Sequence, residues 1–237
     1  MQQLKLGNIA IEVEQKDIKN IHLSVYPPDG RVRIAAPSQM DMDSVRIFAI
    51  SKLQWIKDQQ ATLLKQAREP QREFLESESH YFFGKRFLLK IHELDAKPKV
   101  EIDHKYIHLY LRPNTDTEKK RAILDEWYRE ELKKLTPALI SKWETKMGVK
   151  SNEFGVKKMR TKWGTCNTEA KRIWLNLELA KKPKDCIEYI IVHELVHLLE
   201  RSHNQRFVKF MDEFMPKWRF HREELNRLPY SHVDWGY

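Results

Sequence analysis

The sequence predicts a mixed α+β protein, with a β-rich N-terminal region ahead of a mainly helical one. Three observations predict it. Apolar residues alternate in two stretches of the first half, 1–36 and 80–111. They recur at helical spacing over 41–68 and 118–147. Farther on, two short strand-like runs lead into an apolar helical segment that carries His193, Glu194 and His197.

Taken in order, Leu4, Leu6, Ile9, Ile11 and Val13 alternate as a strand pair does. Leu23 and Val25, a Pro27-Pro28-Asp29-Gly30 turn, then Val32 and Ile34 predict a hairpin. A helix over 41–68 follows from Val45, Phe48, Ala49, Leu53, Ile56 and Leu63, with Asp41 or Asp43 as its cap. Residues 80–111 return to strands with a turn at Gly84. Arg112-Pro113-Asn114-Thr115 marks a boundary that divides the chain into 1–114 and 115–237. Thr115 and Glu118 fit a capping box for a helix ending at Gly148, which Pro137 should kink or split. The runs 156–166 and 172–177 predict a hairpin just ahead of the next helix. That helix starts near Pro183, with Asp185 and Glu188 fitting a second capping box. Ser202 is the expected cap of a helix over 204–215, and a last helix covers 217–227. No internal repeat is visible in the sequence.

Composition narrows the functions. The chain has 237 residues, 41% hydrophobic and 32% charged, and no apolar run approaches the roughly 20 residues of a membrane span. Met1-Gln2-Gln3-Leu4-Lys5-Leu6 has no secretory apolar core. With only Cys166 and Cys186, a disulfide scaffold is not expected, and a reducing cytoplasm is the natural setting. The net charge of +9 is spread along the chain and no DNA-binding motif stands out, so nucleic acid enters only as a candidate partner.

The chemistry lies in His193-Glu194-Leu195-Val196-His197. On a helix, residues four apart share a face, so His193 and His197 can offer two imidazole nitrogens to one metal ion. Glu194 stands one residue off that face, beside the metal, placed to deprotonate a zinc-activated water. A charged helix face with two solvated histidines is the plain alternative. Against it, the helix is strongly apolar, and buried polar groups need partners. His203 is the expected third ligand, with a later glutamate (Glu213, Glu223 or Glu224) as the alternative. Metzincins share this three-histidine spacing but have glycine at the position of Glu200, which argues against that clan.

Four blocks carry a family resemblance: Arg160-Thr161-Lys162-Trp163-Gly164-Thr165-Cys166, Ile173-Trp174-Leu175-Asn176, the His-Glu-x-x-His stretch, and His203-Asn204-Gln205-Arg206-Phe207. In their order and spacing the chain resembles the YgjP-like metallopeptidases, related in motif to SprT-like and WLM-type zincins. The resemblance implies a zincin-like α+β domain, one Zn²⁺ held by His193, His197 and His203, and Glu194 as general base. It also implies a protein or peptide substrate, bound as an added strand along the hairpin.

Trp163, Gly164, Thr165, Arg160 and Arg206 are candidate substrate-binding residues, and Arg160, Arg206 and Tyr189 candidate oxyanion stabilisers. Trp163 reads first as core; a thiol that blocks zinc is only the minor alternative for Cys166. Asn176 is expected to fasten the hairpin to the active-site helix, and His221 and His232 to lie on the surface. Two rival functions share these residues: a DNA-associated protease, and a non-catalytic module that uses zinc only for stability.

Overall fold

A computed structural model describes residues 2–26, 29–65, 72–159 and 162–227. The chain forms two compact units, 1–67 and 68–237.

In the first, β1 (Gln2–Leu6) and β2 (Ile9–Lys16) pair antiparallel across a two-residue turn. β3 (His22–Tyr26) and β4 (Arg31–Pro37) form the expected hairpin, and β4 runs parallel to β2. The sheet order is β1-β2-β4-β3. One face buries Leu4, Ile9, Ile11, Val13, Val32, Ile34 and Ala36 against Val45, Ala49 and Ile56. Those last three lie on α1 (Met42–Ser51) and α2 (Leu53–Lys65), so the single helix expected over 41–68 is two. The break is local. The Ser51 hydroxyl donates to the Phe48 carbonyl at 2.8 Å and competes with the helical ladder, and Lys52 caps the end.

The second unit opens with β5 (Ser79–Phe82), β6 (Lys85–Glu93), β7 (Lys99–Ile102) and β8 (Tyr106–Leu111), in the order β5-β6-β8-β7. Pairing is antiparallel, parallel, antiparallel, as in the first sheet. The elements of the first unit begin at residues 2, 9, 22, 31 and 42; their counterparts begin at 79, 85, 99, 106 and 117. The spacing is near constant, so the chain holds a topological repeat that its side chains do not betray.

The boundary expected at 114/115 falls inside this unit, in the turn before α3 (Thr117–Met147). Phe87, Leu89, Ile107, Leu109 and Leu111 share one core with Leu124, Tyr128 and Leu132 of α3, which binds strands and helix together. Asp116, not Thr115, caps α3 by accepting from the Lys119 amide at 2.7 Å. α3 runs through Pro137 without a break, for 31 residues. Burial of Leu124, Leu132, Ile140 and Trp143 on either side of the proline outweighs the one hydrogen bond it removes.

His80 on β5 is 3% exposed, and its Nε2 has no hydrogen-bond partner. Burial, then the charges of Arg72 and Lys181, push its pKa down to about 3; the Glu78 carboxylate, 3.7 Å away, does not offset them. Between that value and the unfolded value near 6.5 the unfolded chain takes a proton that the folded chain refuses. The stability contributed by a neutral His80 is therefore complete above pH 6.5 and lost as pH falls below it. At pH 4.5 the expected loss from this residue is about 2–3 kcal/mol. Denaturant melts across pH 4.5–7.5 check it: His80→Gln should flatten the acid limb relative to wild type.

Candidate active site

Behind the site stands a three-stranded sheet, β10-β11-β9. β9 (Glu153–Lys157) is parallel to β11 (Arg172–Asn176), and β10 (Gly164–Asn167) pairs antiparallel with β11 as an edge strand. The hairpin is therefore shorter than expected and gains a third strand. Its turn is held by Asn167, whose side-chain oxygen accepts from the amides of Glu169 and Ala170. Asn176 does not reach the site helix. It ties the loop before β10 instead, donating to the carbonyls of Met159 and Lys162 at 2.8 Å each.

The site helix is α4 (Lys184–Val196), preceded by a 3₁₀ turn, Leu177–Lys181. Pro183 is its N-cap residue, and no side chain caps it; Asp185 lies inside the first turn, where a negative charge suits the helix dipole. Glu188 turns to α3, accepting from Trp143 Nε1 and Lys142 Nζ at 2.7 Å. Gly84, at φ +80, fixes the other side: a Cβ there would stand 2.9 Å from Pro183 Cγ, and the Phe83 amide bonds Ala180 O. The long helix and the second sheet thus set the start of α4, and its buried residues Ile187, Ile190, Ile191 and Leu195 hold it in the core.

α4 ends at His197, and the Leu198, Leu199 and Glu200 amides close tight turns onto Leu195 and Val196. Glu200 carries no positive φ, and its carboxylate accepts from the Ser202 amide. The reversal thus needs no glycine at this position. Asn204, not Ser202, caps α5 (Gln205–Phe214) by accepting from the Phe207 amide. His203 swings back, and its Nε2 lies 2.9 Å from His193 Nε2.

One ligand nitrogen from each of His193, His197 and His203 falls within 4.8 Å of the others. Tetrahedral zinc with Zn–N near 2.0–2.1 Å wants nitrogens about 3.3 Å apart, so the donor set fits after small side-chain rotations. His197 Nδ1 lies 3.2 Å from the Glu200 carbonyl, which can only accept; Nδ1 thus holds the proton and Nε2 keeps its lone pair. Burial, then His197, His203 and Arg222, pushes the His193 pKa down to about 3, and burial also lowers that of His197. Both are neutral at physiological pH, as ligation requires. Phe207 of α5 sits against all three rings, at centroid distances of 4.9, 4.9 and 4.7 Å. Its place in the His203-Asn204-Gln205-Arg206-Phe207 run gives no hint of this role. Glu213 and Glu223 are exposed, and Glu224 faces Cys186 Sγ at 3.5 Å.

Glu194 is 4% exposed, and burial pushes its pKa up to about 8 against a small lowering by Lys162. Gly164 lies directly on it. A Cβ at 164 would stand 2.5 Å from Glu194 Oε1 and 2.9 Å from Ile190 Cγ2. The glycine of the Trp-Gly-Thr run is therefore a close approach of strand to carboxylate.

A cavity of about 840 Å³ opens over these groups. Trp163, Gly164, Thr165, Cys166, Tyr189 and the histidines all line it. Trp163 is half-buried and packs against the core as well. Arg206 does not line the cavity; it is exposed, 3.9 Å from Glu200. Arg160 lies outside the described residues, as does His232. His221 is half-buried rather than on the surface. Burial, then Glu194, holds the Cys166 thiol up to about 11 and so protonated. From α6 (Trp218–Arg227) come Arg222, Leu225 and Asn226, which had no sequence signal.

Comparison with known proteins places these residues in context. The profile described as a YgjP-like metallopeptidase domain matches residues 19–228. No curated protein matches. Among the solved structures that are similar over part of the chain are two metallopeptidase zymogens. One is the metallopeptidase zymogen abylysin of Pyrococcus abyssi, at 15% identity, covering 37% of this chain and 89% of that one, with a TM-score of 0.35. The other is the metallopeptidase zymogen jannalysin of Methanocaldococcus jannaschii, at 18% identity, covering 37% and 90%, with a TM-score of 0.34.

Proposed function

Because the chain belongs to the YgjP-like metallopeptidase family, we propose that it is a zinc-dependent peptidase of zincin-like plan, with His193, His197 and His203 as ligands and Glu194 as general base. The observation that carries this reading is the meeting of three imidazole donors with one buried carboxylate in a single open cleft. Zinc, when bound, supplies Lewis acidity, which acidifies a water and polarises a carbonyl.

The protein's own groups do the rest. Glu194 takes the proton of the attacking water and delivers it to the leaving amine. The free edge of β10 offers backbone groups to an extended peptide, which would join the sheet as an added strand. Tyr189, 5% exposed and 6.1 Å ring to ring from His193, lines the cleft and is our choice to steady the oxyanion. A purely structural zinc site has no use for a buried carboxylate beside its ligands, which speaks against a non-catalytic module.

No helix among the described residues is long and apolar enough to cross a membrane. Both cysteines are free, which fits a reducing compartment such as the cytoplasm.

Chelation followed by add-back tests the reading. Removing metal should abolish cleavage of a peptide library, and one equivalent of Zn²⁺ should restore it. Cleavage that survives complete chelation would overturn the assignment.

A further inference from the structure

Among the described residues, four cations line the cleft: Lys162, Arg172, Arg201 and Arg222. Arg172 pairs with Glu153. The other three are exposed and have no ion-pair partner among the described residues. They come from three separate places. Lys162 precedes β10, Arg201 lies in the turn between His197 and His203, and Arg222 projects from α6. Each stands close to the chemistry: the charge of Arg222 is felt at His193, and that of Lys162 at Glu194 and His197. Among the described residues, the anions of the lining are Glu194, which is buried, and Glu169, exposed in the hairpin turn.

A cleft lined by one sign of charge concentrates ligands of the other sign. The cations here also cost energy unless something pairs with them, since like charges share one opening. A neutral peptide leaves that repulsion in place. A carboxylate relieves it.

We propose that the cleft selects substrates bearing a carboxylate within a residue or two of the bond cut, held by Lys162, Arg201 and Arg222. The carboxylate belongs to an Asp or Glu side chain or to the substrate's own C-terminus. This inference rests on the peptidase reading given above. An exposed ion pair contributes about twofold on average, so three together support roughly tenfold discrimination.

The test uses the full chain loaded with zinc, carrying Glu194→Gln for binding and wild type for cleavage. Three fluorescent peptide pools share one random frame: neutral with an amidated end, Glu-containing with an amidated end, and neutral with a free C-terminus. Fluorescence anisotropy is read at about 0.05 M and about 0.5 M salt. The Glu pool or the free-end pool should bind about tenfold tighter than the neutral amidated pool at low salt, and the advantage should shrink at high salt. Which pool wins identifies the source of the carboxylate. Arg222→Glu, Arg201→Glu and Lys162→Glu are exposed-site changes that should keep the fold, and each should cut the preference. Equal affinity for all pools at low salt would overturn the inference. So would a preference that survives all three reversals. Failure of wild type to cleave any pool would overturn the peptidase reading instead, and is separately visible because binding is read without turnover.

Discussion

Replacing Glu194 with Gln should lower peptide turnover by about 10²–10⁴-fold while zinc stays near one equivalent. Glutamine keeps the volume and one side-chain oxygen, so the packing of Glu194 against Gly164 and Ile190 survives. What it loses is the ability to take a proton. The three histidines are untouched, so metal content is the internal control. Steady-state kinetics on a peptide pool, with zinc measured on the same preparation, checks the result. Cleavage at the wild-type rate would remove Glu194 from the mechanism. Loss of zinc together with activity would mean that the carboxylate serves the metal site and not the proton transfer.

Gly164→Ala should have an effect of comparable size for a different reason. The added methyl would stand 2.5 Å from Glu194 Oε1 and 2.8 Å from its Cγ. Neither distance is tolerated, so the strand, the helix or the carboxylate must move. Ile190 Cγ2, at 2.9 Å, blocks the simplest retreat. A displacement near 1 Å at a catalytic group can cost about 10²-fold in rate. Overpacking at a buried contact adds about 1–3 kcal/mol of instability. Kinetics and thermal melts of Gly164→Ala, again with zinc measured, are the check. A fully active variant would show that β10 can slide away from α4, and that the close approach does no positioning.

Much of this was legible before any coordinates. His193, Glu194 and His197 declare themselves because helical spacing turns a short string into one face. The strands of 2–37 and 79–111 declare themselves because one side of each sheet is buried, so apolar residues alternate. Cap positions were less legible. Asp116 and Asn204 each took a place that a neighbouring residue with similar capping chemistry could have held, Pro183 took one without any capping side chain, and shifts of one or two residues leave no mark on periodicity. The break at Lys52 depends on one serine hydroxyl. The role of Phe207 could not be read, because a buried phenylalanine on an apolar stripe looks the same whether it packs against leucines or imidazoles. The cleft cations were hidden for another reason. Lys162, Arg201 and Arg222 are scattered in sequence and meet only through tertiary structure. The repeated strand order of the two sheets was hidden too, since topology constrains only where apolar residues fall and not which ones they are.

Zinc-edge anomalous diffraction from crystals of the zinc-loaded protein tests the central claim most directly. The account predicts one strong peak, bound by nitrogens of His193, His197 and His203 at about 2.0–2.1 Å, with the Glu194 carboxylate beside it and not in the ligand set. A peak placed elsewhere, or one that recruits Glu213, Glu223 or Glu224 in place of His203, would contradict it.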